Sequence, residues 1–309
     1  MKGLELSKEY YETCFKDIFF SEFGQLSDKV AIGLCGSGSE CYGYDDDISK
    51  DHDYEPGFCV FIPGEDVVDR KTAFQLQRAY DKMPREFGGL SRSLVSPVGG
   101  KRHGVIRIEE FVTEKLGSFP FTDTQWLMTP SYSISEAVNG QIWYDGRGEI
   151  SAIREYLNRM PEDIRLKRLA GQLILMAQSG QYNAERCMEH GETAASQLAI
   201  NEFVKACLEA VFLLNRAYMP FYKWSFRALK ALPVLSELSE PLEYLLMGDS
   251  KDRNGKLFSI GEVCHAVQDE LRKQDISSME CDDMEKHAYS VNDHIKDNSI
   301  RIMNIFTAV

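Results

Sequence analysis

The chain is 309 residues long, 43% hydrophobic and 27% charged, and its 48 acidic residues against 35 basic ones give a formal net charge of −13. That length exceeds the usual size of one core and suits two domains, and the composition is that of a folded chain. The negative charge repels a phosphate backbone, so a nucleic-acid partner is disfavoured and a cationic small molecule or a protein side chain suits the field better.

Between Met1 and Phe23 the charged residues Lys2, Glu5, Lys8, Glu9, Glu12 and Lys16 interrupt the apolar ones, unlike a secretory leader. In the same stretch Tyr10, Tyr11, Cys14, Phe15, Ile18 and Phe19 recur every three or four residues and predict an amphipathic helix. Val30 to Leu34, ending in Cys35-Gly36, reads as a buried strand and a turn. Phe58 to Ile62, stopped by Pro63-Gly64, is the next strand. Asp69 to Met83 is helical in pattern, with Ala73, Leu76, Ala79, Tyr80 and Met83 on one face. Gly104 to Glu109 alternates apolar Ile106 and Ile108 with polar Arg107 and Glu109, a half-buried strand with one face free for a site. Gln141 to Asp145 is a last strand, closed by the turn residues Asp145 to Gly148.

From Glu149 onward the spacing is helical, through Ile153 and Leu157, Leu166 to Ala177, and Phe203 to Leu214. The expected fold is α+β: an N-terminal α/β domain over residues 1–148, with a small mixed sheet and helices, then a helical bundle over residues 149–309. No apolar run approaches the roughly 20 residues of a bilayer span. The eight cysteines are dispersed without a CxxC pair, which argues for a reducing compartment and against structural zinc. A cytoplasmic, membrane-free protein is the expectation.

The stretch that carries chemistry runs from Gly36-Ser37-Gly38-Ser39 to Asp51-His52-Asp53. It is not a dinucleotide GxGxxG, because the third glycine is displaced to Gly43, and no GK[ST] makes a P-loop. An EF-hand fails because Pro56 stands where glycine is needed. A Gly-Ser turn after a buried strand, opening a short helix, offers backbone N–H groups and hydroxyls to a phosphate. In extended backbone Asp51 and Asp53 point to one side and His52 to the other, so the two carboxylates suit a hard divalent ion. Asp45, Asp46 and Asp47 read as solvated or helix-capping acids instead.

On these residues the sequence resembles the polymerase-beta-like nucleotidyltransferases, the superfamily of kanamycin nucleotidyltransferase and the minimal nucleotidyltransferases. It is similar in particular to a bacterial family of unknown function with a nucleotidyltransferase-like front half, in which GSGS, an acidic spacer and Ser-x-Asp-His-Asp occur together. Tyr182-Asn183 with Arg186, and Asn215 to Trp224, look like that family's helical half. The resemblance implies a magnesium-dependent enzyme that moves a nucleoside monophosphate from a nucleoside triphosphate such as ATP to a hydroxyl, releasing pyrophosphate. It implies catalytic Asp51 and Asp53 as the metal ligands and Gly36, Ser37 and Ser39 at the phosphates. Such enzymes add a third catalytic carboxylate. Glu109 is the candidate here, with Arg107 taking that place in a looser alignment.

Lys223, on a predicted helix among aromatics, is either a packing, snorkelling lysine or a further nucleotide-binding cation. The acceptor is expected to be a small molecule or a protein, and the related resistance enzymes carry with them the expectation of a homodimer. Two alternatives stand beside the enzyme: a nucleotide sensor or partner-binding module that has kept triphosphate binding without turnover, and an antitoxin-like transferase that modifies a protein.

Overall fold

The computed structural model describes residues 1–47, 55–92 and 102–309. In chain order these form α1 (Gly3–Cys14), α2 (Lys16–Glu22), β1 (Ala31–Leu34), α3 (Ser39–Tyr42), β2 (Cys59–Ile62), α4 (Arg70–Asp81), β3 (Glu86–Phe87), β4 (Leu90–Ser91), β5 (Gly104–Arg107) and α5 (Ile108–Leu116). Then come α6 (Asp123–Met128), α7 (Ser131–Val138), β6 (Gln141–Asp145), α8 (Glu149–Asn158), α9 (Glu162–Met176), a π-helical segment (Ala177–Ala184) and α10 (Glu185–Glu189). The chain finishes with α11 (Thr193–Leu214), α12 (Tyr222–Leu229), α13 (Ser239–Met247), α14 (Arg253–Lys273), α15 (Met284–Asp293) and α16 (Asn298–Arg301). The architecture is mixed α+β, and among the described residues no helix is long and apolar enough to cross a membrane. Contacts group the chain into two compact units, Met1–Pro120 with Ser133–Arg159, and Phe121–Tyr132 with Met160–Val309.

The first unit is built on a four-stranded sheet of order β5-β2-β1-β6. β1 runs antiparallel to β2 and β6, while β2 and β5 are parallel. β1 and β2 are buried along their whole length, as short uninterrupted apolar runs require when both faces of a sheet are covered. On one face Phe58 sits among Tyr10, Tyr11, Phe15 and Tyr80, ring centroids 5.1 to 6.0 Å away in tilted or edge-on contacts. On the other, Phe61 meets Phe111 of α5 edge-on at 5.2 Å. The periodicity of the leading segment predicts one helix, but two form. Phe15, at φ −127°, leaves the helical region between them with its ring fully buried. Asp69 starts α4 by accepting the Thr72 amide at 2.7 Å.

The alternation that predicts a strand from Gly104 to Glu109 is overruled from residue 108 onward. β5 stops at Arg107, and Glu109 lies exposed in the first turn of α5, where carboxylates are favoured by the helix dipole. The Arg107 guanidinium is spent on the Pro63 and Val68 carbonyls at 2.8 and 3.1 Å.

In the second unit α9 is buried on every side from residue 164 to 174, and it takes three cations, Arg165, Lys167 and Arg168, into the interior. A buried charge needs partners. Lys167 Nζ donates to Asn292 Oδ1, Arg301 O and Met303 O at 2.9, 3.2 and 2.6 Å, and burial draws its pKa down. Arg168 donates to the Trp126 and Thr129 carbonyls at 3.2 Å each, to Ser131 Oγ at 2.8 Å and to the Glu209 carboxylate of α11 at 3.1 Å. In the π-helical segment Gly180 lies against the Phe203 ring, in space that a Cβ would fill.

Candidate nucleotide site at the exit of the first strand

The chain leaves β1 through Gly36, Ser37 and Gly38. Gly36 has φ +119° and Gly38 φ +126°, a region that side chains other than glycine's rarely enter. Asn139 clamps the turn from one side: its Oδ1 accepts the Gly36 amide at 2.9 Å, and its Nδ2 donates to the Gly36 carbonyl at 2.8 Å. From the other side Arg102 Nη2 donates to the Ser37 carbonyl at 3.0 Å and pairs with Glu40 of α3. Both partners of that pair are almost wholly buried.

Sheet register brings the remaining pieces to the same edge. The antiparallel pairing of Gly33 with Cys59 sets the entry to β2 beside the turn, and the parallel pairing of Cys59 with Gly104 adds Arg102 and His103. His103 Nδ1 lies 3.3 Å from Glu55 Oε1, and Gly57 packs its bare Cα against the imidazole. A cleft at this edge is lined by Gly36, Ser37, Glu40, Arg102, Ile106 and Lys115, among others.

Lys115 donates to Glu136 at 2.9 Å and lies 3.3 Å from Glu114. Burial draws its pKa down, but the two carboxylates outweigh burial and hold it above the ordinary lysine value. It stays charged. The Cys35 thiol is pushed up to about 11 by burial, against the pull of Arg154 and Lys115, so at neutral pH it packs rather than reacts. This edge thus gathers Arg102 and Lys115, each paired with carboxylates, beside the Gly36–Ser39 turn, whose backbone N–H groups are the part of the arrangement suited to an anion.

Of the residues expected from sequence, Gly36, Ser37 and Ser39 come together here, with Ser39 as the first residue of α3. Asp51, His52 and Asp53 lie outside the described residues. Glu109 is not among the residues that line this cleft. β5 runs away from the turn, so its Gly104 end adjoins Cys59 while Arg107 pairs with Ile62, and Glu109 follows at the far end of the sheet. Three strand steps separate the ends, roughly 10 Å. The β5 residue that lines the cleft is Ile106, not a carboxylate and not Arg107.

Lys223 stands exposed on α12 in the second unit, its Nζ 5.1 Å from the Trp224 ring centroid. Asp45 is buried and caps α1, accepting the Gly3 amide at 2.9 Å. Tyr182 and Asn183 fall in the π-helical segment, with the Arg186 guanidinium 5.7 Å from the Tyr182 ring centroid. Sequence reasoning missed Asn139, Arg102 and Lys115. Asn139-Gly140 carried a legible turn signal, whereas the arginine and the lysine carried none.

A comparison with the curated proteins finds no match. Residues 126–225, from α6 to the middle of α12 and including Asn139, Arg168, Tyr182 and Lys223, match a family described as a domain of unknown function (DUF4037).

Proposed function

We propose that the first unit is a magnesium-dependent nucleotidyltransferase that binds a nucleoside triphosphate at the Gly36–Ser39 turn and transfers the nucleoside monophosphate to a hydroxyl acceptor, a small molecule or a protein. The observation that carries this reading is the turn itself: positive-φ Gly36 and Gly38 between β1 and α3, held by Asn139 and Arg102, in a cleft lined by Lys115. The turn's amides and Ser37 and Ser39 would hold phosphate oxygens, while Arg102, paired with Glu40, would hold the turn in shape.

Among the described residues no three of His, Cys, Asp and Glu converge as a metal centre. Magnesium would rest on Asp51 and Asp53, which precede Glu55 by four and two residues. Their oxygen-only donor set fits a hard ion that shares carboxylates with substrate phosphates. Bound there, magnesium would neutralise charge at the α-phosphate and lower the barrier to in-line attack by the acceptor hydroxyl.

The placement of Glu109 at the far end of the sheet, with Ile106 in the cleft, favours a second reading: a nucleotide sensor that has kept triphosphate binding without turnover. Calorimetry with the four nucleoside triphosphates, with and without magnesium, tests both on the wild type and on Asp51→Asn/Asp53→Asn. Magnesium-dependent binding that the double variant loses supports the shared site, and absence of binding to the folded wild type removes both readings. Pyrophosphate release in an acceptor screen then separates the enzyme from the sensor.

A further inference from the structure

β6 is the outermost strand on its side of the sheet; β1 occupies one of its edges, and among the described residues no strand pairs with the other. Gly140 and the β6 residues Gln141 through Tyr144 line one groove of about 900 Å³. The pairing of β6 with β1 shifts register between Ile32 and Gly33, so Trp143 bulges out of the ladder, and the groove runs along this irregular strand on the side of the sheet where it has no strand neighbour. One wall is α1 and α2, which contribute Lys8 and Lys16 and hold the strand through Tyr11 stacked on Trp143 at 5.9 Å and Phe20 edge-on to Tyr144 at 5.5 Å. The other wall is α8, with Ser151 and Asn158.

We propose that this groove docks an extended, carboxylate-bearing peptide segment, which joins β6 as an additional strand. Unpaired edge groups of a strand are satisfied by the backbone of another extended chain, and a slot between helical walls at such an edge admits one strand. Charge selects the partner. Arg154 gives its guanidinium to the Asn139 and Val138 carbonyls at 2.7 and 2.8 Å, and Arg159 is paired with Glu155. Lys8 and Lys16 are exposed and in no ion pair among the described residues, and against them this wall turns one carboxylate, Glu12, to the groove, so its lining carries one surplus positive charge.

Lys8 stands on α1 and Lys16 at the start of α2, on either side of the break at Phe15. Residues four apart on one face of a strand are about 13 Å apart. Two carboxylates so placed, on the face turned to α1 and α2, offer a partner to each lysine. A second copy of this chain fits less well, because a two-fold pairing of β6 edges would set each copy's helical walls and lysines against the other's.

The probe is a fluorescein-labelled peptide, Thr-Glu-Val-Thr-Val-Glu-Thr, titrated against the full chain by anisotropy. Saturable binding is expected, weakened at least about tenfold when both glutamates become lysine or when the chain carries Lys8→Glu/Lys16→Glu, whose positions are exposed and outside the core. N-methylation of alternate peptide amides should abolish binding, and exchange of the β6 amides should slow when the peptide is present. The proposal is overturned by absence of saturable binding up to about 1 mM, by equal affinity of the N-methylated peptide, or by β6 amides protected through self-association in the absence of peptide.

Discussion

Replacing Gly38 with alanine destabilises the first unit, whereas the same change at Gly261 does not. Gly38 has φ +126° and ψ 148°, an extended conformation with positive φ that is essentially restricted to glycine and costs another residue about 1–3 kcal/mol. A Cβ there would also meet the tip of Arg102 and both Glu40 oxygens, the latter at 2.5 Å. Those tips can retreat, but only by parting an almost fully buried ion pair, a loss that reaches about 3–5 kcal/mol when one partner is removed outright. Strain and partial loss of the pair together give about 2–5 kcal/mol. Gly261, exposed within α14, has no atom within 4 Å of its would-be Cβ and no positive φ. Alanine there should stabilise by about 0.5–1 kcal/mol, the difference in helix propensity. Native-state hydrogen exchange of the β1 and β2 amides reads the first unit, and that of the α14 amides reads the second, without assuming that both unfold together. Opening free energies of β1 and β2 within about 0.5 kcal/mol of wild type in Gly38→Ala would refute the reasoning, since surface changes away from such features have that size.

Other outcomes follow from the buried and paired charges. Arg168→Met and Glu209→Leu should each cost about 3–5 kcal/mol, and the double variant clearly less than their sum, because each single change strands a buried charge; thermal unfolding of the four chains measures the coupling. Glu162 accepts hydrogen bonds from Arg165 and Arg216, which hold its pKa at about 2 against an ordinary 4.5. Its contribution is therefore fully present above pH 4.5 and lost as pH falls toward about 2, so Glu162→Gln should show a shallower acid limb. The group is almost half exposed, so the effect is modest and best followed by carboxyl NMR titration.

His287, fully buried, lies with Nε2 2.8 Å from the Cys281 carbonyl and Nδ1 2.8 Å from Ser277 Oγ. A carbonyl only accepts, so Nε2 carries the proton and Nδ1 accepts from the serine. Burial lowers its pKa below 6.5, so the neutral ring's contribution is present above pH 6.5 and lost as pH falls through the folded value. Nitrogen chemical shifts at neutral pH should report the Nε2–H tautomer, with the ring titrating below 6.5; an Nδ1–H tautomer, or titration above 6.5, would contradict this.

Local pattern alone determined a good deal of this protein. The apolar runs that became β1 and β2, the three-and-four spacing that became α4, α9 and α11, and the glycines at 36 and 38 are properties of neighbouring residues, and each formed where its pattern stood. The expected turn of Gly36, Ser37 and Ser39 was legible for the same reason. The leading segment marks the limit, because its helical period could not show that Phe15 would break the helix to bury its ring.

Tertiary structure decided what surrounds that turn. Asn139 reaches Gly36 across 103 residues and Arg102 reaches Ser37 across 65, and no local pattern encodes either meeting. The same sheet register that delivers them sends Glu109 the other way. Alternation gave residues 104–109 a polar face, but the choice between strand and helix at Ile108, and the end of the sheet to which that face belongs, follow from pairing β5 parallel to β2. A strand's own residues specify its two faces; its direction among its neighbours is set by the partners it pairs with.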